Sequence, residues 1–443
     1  EVVEPKLMEI RSPMMLKPAP HPLAGEKVPL TVFDRVMDMF MSSVRVYPPP
    51  APSNEALKEG LLRAVAAYPH LTGRLAVDGQ GRRFLHLNNE GVLVIEAVVR
   101  ADLADAFPDA ANLEDIYPTP PQECVGAAVL QIKLNRYRCG GLVIGMTCHH
   151  QAADGYSMSA FGTAWARAVR DGKDFVAPSP FLDRAATAVP RSTPAPLFDH
   201  RSIEFGRGQG SSSSRSSSYG GATDKIKNIT VHFPAGFIAE LKARVGGRCS
   251  TFECLLAHVW KRITAARGLR REEFTQVRLA VNCRGRASPP VPMDFFGNMV
   301  LWAFPRLQAG DLLGLSYGGV VGAIRDALAR VDHEYVQSLV DFGRLTEDEE
   351  LVRSSNVGTA VLCPDIQVTS WLGFRLHQLD FGTGPPSAFL RPEVALEGHM
   401  CFVPSTMAEG AVELRLVVME DQVAAFKNTC YSLDDISLPS SRM

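Results

Sequence analysis

The chain has 443 residues, 46% hydrophobic and 21% charged, with a formal net charge of −2. This composition excludes extensive disorder, the charge excludes a global attraction to nucleic acid or an anionic membrane, and the length predicts two domains of about 200 residues each. The 9 cysteines are scattered, with no CxxC pair and no His/Cys cluster at ligand spacing; their odd number rules out a complete disulfide framework, so reduced thiols and no metal are expected. The opening Glu1-Val2-Val3-Glu4-Pro5 lacks the basic and apolar regions of a leader, and no apolar run reaches the roughly 18 residues of a membrane span. A soluble, cytoplasmic chain is expected.

Along the chain, residues 54–67 have the apolar period of a helix, with Ser53 or Asn54 as its cap. Strands are predicted at Arg83–Leu87 and Val92–Val99, and the wholly apolar run 141–148 reads as a central, buried strand. A helix follows in which Met158, Phe161, Trp165 and Ala168–Val169 recur every three or four residues, with Gly172 placed to end it. Residues 177–200 are proline-rich and polar, and 206–222 are of low complexity, so 190–225 reads as an exposed crossover between domains 1–189 and 226–443. The second half predicts a strand at Ile229–Phe233, helices at Ala235–Arg244 and Thr251–Ala266, and strands at Val277–Val281 and Met299–Phe304. This interleaving of strands and helices is an α/β pattern.

The chemistry concentrates in His149-His150-Gln151-Ala152-Ala153-Asp154-Gly155. Of the 11 histidines, only His150 is followed by Asp at i+4 and then Gly. It ends a buried strand where a turn begins, a place where α/β layers bind ligands, and the small residues after it leave room for one. Attack of an amine or hydroxyl on a thioester needs a base titrating near neutral pH, which is the property of histidine. The spacing alone also fits a pair of core or turn histidines. Asp154 is read as scaffold, turned away from His150 toward an arginine. Cys148, inside the apolar strand, reads as a buried thiol and not as a nucleophile.

In these residues and several segments downstream, the chain resembles the plant BAHD acyltransferases, which move acyl groups from CoA thioesters to alcohols or amines. His150-Gln-Ala-Ala-Asp154-Gly155 matches the family's HxxxD(G) motif, and Asp380-Phe-Gly-Thr-Gly384 its DFGWG motif, with Thr383 in place of tryptophan. Residues 281–286, Phe296-Gly-Asn-Met-Val300 and Thr369-Ser-Trp371 resemble three further family segments, in order over nearly the whole chain. The resemblance implies two CoA-dependent-acyltransferase-type domains, each a mixed sheet flanked by helices, with a channel between them. It implies that His150 is the general base and that Asp154 is structural, paired with an arginine for which Arg284 is the candidate. Gly155, Asp380, Gly382 and Gly384 are expected to hold shape. Ser250, Thr251 and Arg286 are candidates for CoA, and Thr369, Trp371 and Thr383 for the substrate pocket, where threonine would leave more space than tryptophan. No permanently bound cofactor is implied: a CoA thioester is co-substrate, a small molecule is acceptor, and the resemblance leans monomeric.

Residues 297–305, 361–366, 380–384 and 426–434 most resemble the grass branch that makes hydroxycinnamic amides of putrescine, agmatine or arylamines. Residues 354–359 lack the arginine that shikimate-using members offer in the corresponding stretch. Against an amine stand His149-His150, more typical of O-acylating members, and Thr369, where amine-acylating relatives often carry Asp. A hydroxyl acceptor such as shikimate or quinate is therefore the alternative to an amine. The acid run Glu347-Asp348-Glu349-Glu350 reads as a solvated helix start. A non-catalytic binding protein and a thioesterase are the competing classes on this fold.

Overall fold

In a computed structural model, the described residues are 8–106, 115–205, 225–349, 351, 361–392 and 394–434. The shikimate-linked stretch 354–359, Glu350 and the low-complexity residues 206–222 lie outside them. Two large mixed sheets carry the fold. The first runs in the order Met8–Ile10, Val92–Val99, Leu130–Tyr137, Leu142–His149, Phe40–Tyr47 and Ala388–Leu390, with Met14–Leu16 also pairing to Val92–Val99. The second runs Ile226–Phe233, Val412–Met419, His399–Pro404, Ile366–Ser370, Phe274–Asn282 and Val300–Ala303. A small sheet joins Lys27–Pro29, Arg83–His86 and Arg74–Val77.

Local sequence explains the elements that position the site. The strand Leu142–His149 is buried at every residue because it has partners on both edges and side chains packed on both faces. The helix Gly155–Asp171 begins where Asp154 accepts the Ser157 N–H and stops at Gly172. Its apolar face packs on the helix Asn54–Val65, where Trp165 Nε1 donates to the Leu57 carbonyl at 2.9 Å. Thr251–Ala266 begins at a capping box between Ser250 and Glu253.

The two halves interlock. Val32, Phe33, Val36 and Met37 pack into the core of the second half, and Phe296 and Phe381 pack into that of the first. Each such buried apolar side chain contributes about 1.5–3 kcal/mol relative to exposure. The edge strand Ala388–Leu390 likewise crosses over to pair with Val44–Val46 of the first sheet.

The expected exposed crossover is corrected at its start. Leu197 N–H donates to Ser338 Oγ at 2.8 Å, Arg191 pairs with Asp341, and His200 and Phe205 are buried. Side chains of the helix His333–Leu345 hold four of the loop's amides, those of Arg191, Ala195, Leu197 and Phe198, while Leu197 and Phe198 themselves stay exposed. The described part of the acid run, residues 347–349, follows the end of that helix. Its segment is held by Arg35, which donates to the Thr346 and Glu349 carbonyls.

Candidate active site

The turn after Leu142–His149 carries His150, and three long-range contacts fix it. Asp154 and Arg284 form a fully buried pair, with Arg284 Nη1 to Asp154 Oδ2 at 2.8 Å and Nη2 to Oδ1 at 3.1 Å. Arg284 also donates to Ser157 Oγ and to the Phe295 and Gly297 carbonyls. The Asp154 carboxylate accepts from the Ser157 and Met299 amides. Burial alone would raise its pKa, but the Arg284 charge and these hydrogen bonds hold it below the usual carboxylate range. Asp154 is therefore committed to Arg284.

Asn298 meets the His150 imidazole. Its Oδ1 lies 3.0 Å from His150 Nδ1, while its Nδ2 donates to Asp34 Oδ1 at 2.9 Å and to the His150 carbonyl at 2.8 Å. Both amide hydrogens are thus spent on oxygen acceptors, so the oxygen must face the imidazole. Nδ1 then carries the imidazole proton, and the lone pair of the neutral ring lies on Nε2. Asp34 is buried, closes a capping box with Thr31, and forms an ion pair with Arg184, Nη1 to Oδ1 at 2.8 Å. Arg184 in turn donates to the Gln151 and Ala152 carbonyls, clamping the turn. Sequence alone does not join Asp34, Arg184 and Asn298 into one network; the one local signal is the Thr31-to-Asp34 capping spacing.

His149 points elsewhere. It is buried, its Nδ1 accepts the Gln151 N–H, and its Nε2 lies 3.6 Å from Asp38. Asp38 and Cys124 bring possible ligand atoms within 4.8 Å of it. The backbone bond places the His149 proton on Nε2, and Arg83 pairs with Asp38 at 2.6 Å, which suits an ion-paired cluster better than a cation site. Burial pushes the Cys148 thiol up to about 12, that of an unreactive group.

A second wall faces the turn. A Cβ on Gly155 would come within 2.9 Å of the Phe374 ring, so only glycine fits there without moving Phe374. Phe374 stacks with Trp371, and Arg391 lies over the Trp371 ring. The Trp371 amide donates to the Phe402 carbonyl, and Phe402 meets Phe252 edge-on. Ser250 Oγ accepts from the Glu253 amide, and Glu253, hydrogen-bonded by Arg325, is held at about 2. Arg286 Nη1 donates to the Leu328 and Val331 carbonyls at the end of Tyr317–Ala329. That guanidinium, expected on CoA, thus also ties down the end of this helix through Nη1.

The second motif sits apart from His150. Asp380 Oδ1 accepts from the Gly382 and Gly384 amides, and both glycines have positive φ, 104° and 108°. Arg170 donates to the Asp380 carbonyl, and Phe381 packs on Trp165 and Tyr47. Tyr47 pairs with Leu142, at the opposite end of the strands from the Phe40–His149 pair. Seven residues of strand separate the two ends by roughly 20 Å. Thr383 is exposed in this turn; it does not line the His150 site, and its replacement of tryptophan does not enlarge that site.

Two open mixed sheets meeting at a histidine-bearing turn define a two-domain acyl-transfer fold. A family model described as the Transferase family matches residues 6–433, and the chain belongs to this family, that of the BAHD acyltransferases. Tryptamine benzoyltransferase 2 of Oryza sativa subsp. japonica is 58% identical over 98% of this chain and 100% of its own. Tryptamine hydroxycinnamoyltransferase 2 of the same organism is 54% identical over 96% and 99%. Among solved structures, vinorine synthase superposes with TM-score 0.70 at 23% identity, covering 94% of this chain and 96% of its own. The chain is a CoA-dependent acyltransferase. Among the described residues, no helix is long and apolar enough to cross a membrane.

Proposed function

We propose that the chain transfers an aromatic acyl group, hydroxycinnamoyl or benzoyl, from its CoA thioester to the nitrogen of an amine, with both substrates bound together and His150 as general base. The observation that carries the mechanism is the orientation of Asn298. With Nδ1–H held by Asn298 Oδ1, His150 Nε2 is the atom that accepts a proton. An alkylammonium, with a reference pKa of roughly 10.4, must lose a proton before it attacks, and burial beside a neutral imidazole favours that loss. The free amine then attacks the thioester carbonyl. As the new C–N bond forms and the C–S bond breaks, the nitrogen gives its remaining excess proton to His150, which returns it to the departing CoA thiolate. Asp154 takes no part in the relay, because its carboxylate is locked to Arg284.

The amine acceptor is supported by the names of the similar enzymes, which also include a putrescine hydroxycinnamoyltransferase 39% identical and an agmatine hydroxycinnamoyltransferase 35% identical. A panel tests it. The enzyme is given coumaroyl-CoA or benzoyl-CoA with tryptamine, tyramine, putrescine, agmatine, shikimate, quinate or glycerol, and products are read by mass. Amides are expected; product with shikimate or quinate alone would overturn the amine in favour of a hydroxyl acceptor. CoA release with no acylated product would make the chain a thioesterase.

A further inference from the structure

The helix Thr251–Ala266 opens with two interlocking side-chain contacts. The first is the capping box between Ser250 and Glu253. A capping box brings the residue before the cap onto the fourth residue of the helix, where an apolar pair staples the entering chain to the first turn. Here both of those positions are cysteine: Cys249 precedes the cap and Cys254 is the fourth residue. The two thiols lie within hydrogen-bonding contact of each other. Both belong to the packing of the second half, Cys254 fully buried and Cys249 half-buried.

The two sulfurs differ in their surroundings. Burial, and after it the neighbouring Cys249, push the Cys254 thiol up to about 12, so it stays protonated, its hydrogen donated to the Thr251 carbonyl at 3.3 Å. Cys249 is partly open to solvent, at the positive end of a helix of 16 residues. Arg325 brackets it, donating to the Arg248 carbonyl on one side and to both Glu253 carboxylate oxygens on the other. A partly exposed thiol at a helix start beside an arginine has the setting of a reactive cysteine, and a thiol in contact with it is placed to resolve what forms there. Cys148 and Cys283 are buried and pushed up to about 12, and the sulfur of exposed Cys139 accepts the Leu103 amide.

We propose that Cys249 and Cys254 are a modification site, a dithiol that hydrogen peroxide converts reversibly to a disulfide. The Cys249 thiolate attacks one peroxide oxygen, the O–O bond breaks, hydroxide leaves, and Cys249 becomes a sulfenic acid. The Cys254 sulfur then displaces the sulfenic hydroxyl: the S–S bond forms, the S–O bond breaks, and the departing hydroxide takes the Cys254 proton as water. Two thiols and one peroxide thus give one disulfide and two waters, with two electrons passing from sulfur to oxygen. A dithiol reductant reverses the bond by exchange. The disulfide ties the start of this helix, whose Phe252 ring meets Phe402, to the chain before it. Neither His150 nor an acyl group takes part.

Trypsin cuts after Arg248 and Lys261, which puts both cysteines on one peptide, residues 249–261. The full chain, reduced and freed of reductant, is given hydrogen peroxide in increasing ratio, then alkylated in denaturant and digested. The expected peptide is lighter by two hydrogens and carries no alkyl group, and dithiothreitol before alkylation restores both alkyl groups. In Cys254→Ser, Cys249 is expected to stop at the sulfenic acid and take up dimedone. In Cys249→Ser, Cys254 is expected to stay fully alkylatable at the same peroxide ratio. Circular dichroism establishes that both variants are folded. A wild-type peptide that still takes up two alkyl groups once exposed Cys139 is fully oxidised would overturn the proposal. So would a disulfide from Cys249 or Cys254 to any other cysteine, or oxidation of Cys254 in Cys249→Ser as fast as in the wild type.

Discussion

Asn298 holds His150 by two bonds at once: its Oδ1 meets the imidazole Nδ1 at 3.0 Å, and its Nδ2 reaches the histidine's own carbonyl at 2.8 Å. The same Nδ2 donates to Asp34, so a residue 264 positions earlier in the chain sets the amide's orientation. In this enzyme an amide, and not the aspartate of the motif, selects the tautomer.

Replacing Asn298 by Ala removes that selection by taking away the acceptor of Nδ1–H. The expected kcat loss is about 10- to 100-fold, the scale of a misplaced catalytic group, with a smaller change in the KM of either substrate. The pH–rate profile should also move on its acid limb, because the Nδ1 partner is gone. Replacement by Asp keeps an acceptor for Nδ1–H but sets a second carboxylate against Asp34, so it should cost more stability than Ala. Steady-state kinetics between pH 5.5 and 9, with thermal unfolding of each variant, checks both statements.

Asp154→Asn is expected to act on stability before chemistry. It leaves the buried Arg284 guanidinium without its counter-charge, a loss of about 3–5 kcal/mol for one partner of a buried pair. Asp154→Leu combined with Arg284→Met should lose less than the sum of the single changes, because no charge is then left unpaired. Thermal or urea unfolding of the four proteins measures the coupling.

Acid should destabilise the fold through two histidines remote from the site. Burial holds His258 and His200 each at about 4, below the ordinary 6.5. His258 lies between the Tyr317 hydroxyl and the Cys430 carbonyl. Ser338 Oγ, which accepts two backbone amides, has its own hydrogen to give to His200 Nε2. Between those pH values the unfolded chain binds protons that the folded chain does not. Stability is therefore complete above pH 6.5 and falls as the pH drops to 4. Each histidine contributes about 1.4 kcal/mol to that fall for every tenfold by which folding weakens its hold on the proton. The unfolding midpoint recorded across this range should decline less steeply in His258→Gln, which donates and accepts without titrating.

What sequence could and could not reveal follows from distance along the chain. The helix Thr251–Ala266 and the strand Val92–Val99 lie where their periodicity predicts them, because caps and alternation are local. Arg284 as the partner of Asp154 was also legible, through the family's motif. The Asp34–Asn298–His150 chain was not, since it joins three segments that share no period. The same holds for Ala388–Leu390, a three-residue strand that crosses between sheets, and for the loop before His200, four of whose amides are held by Asp341 and Ser338. Arg286 was chosen as an anion ligand by residue type alone, which gave no sign that its Nη1 holds the Leu328 and Val331 carbonyls. Thr383 looked like a pocket residue by motif and lies at the far end of the sheet.

The central claim is that His150 moves the proton in amide formation. The most direct measurement is the initial rate of amide formation from coumaroyl-CoA and tryptamine by the wild type and by His150→Ala, with circular dichroism establishing that the variant is folded. A general base of this kind is worth about 10²- to 10⁴-fold, so the account predicts a wild-type amide product and a loss of that size in the variant. A folded His150→Ala protein that makes the amide at the wild-type rate would contradict it.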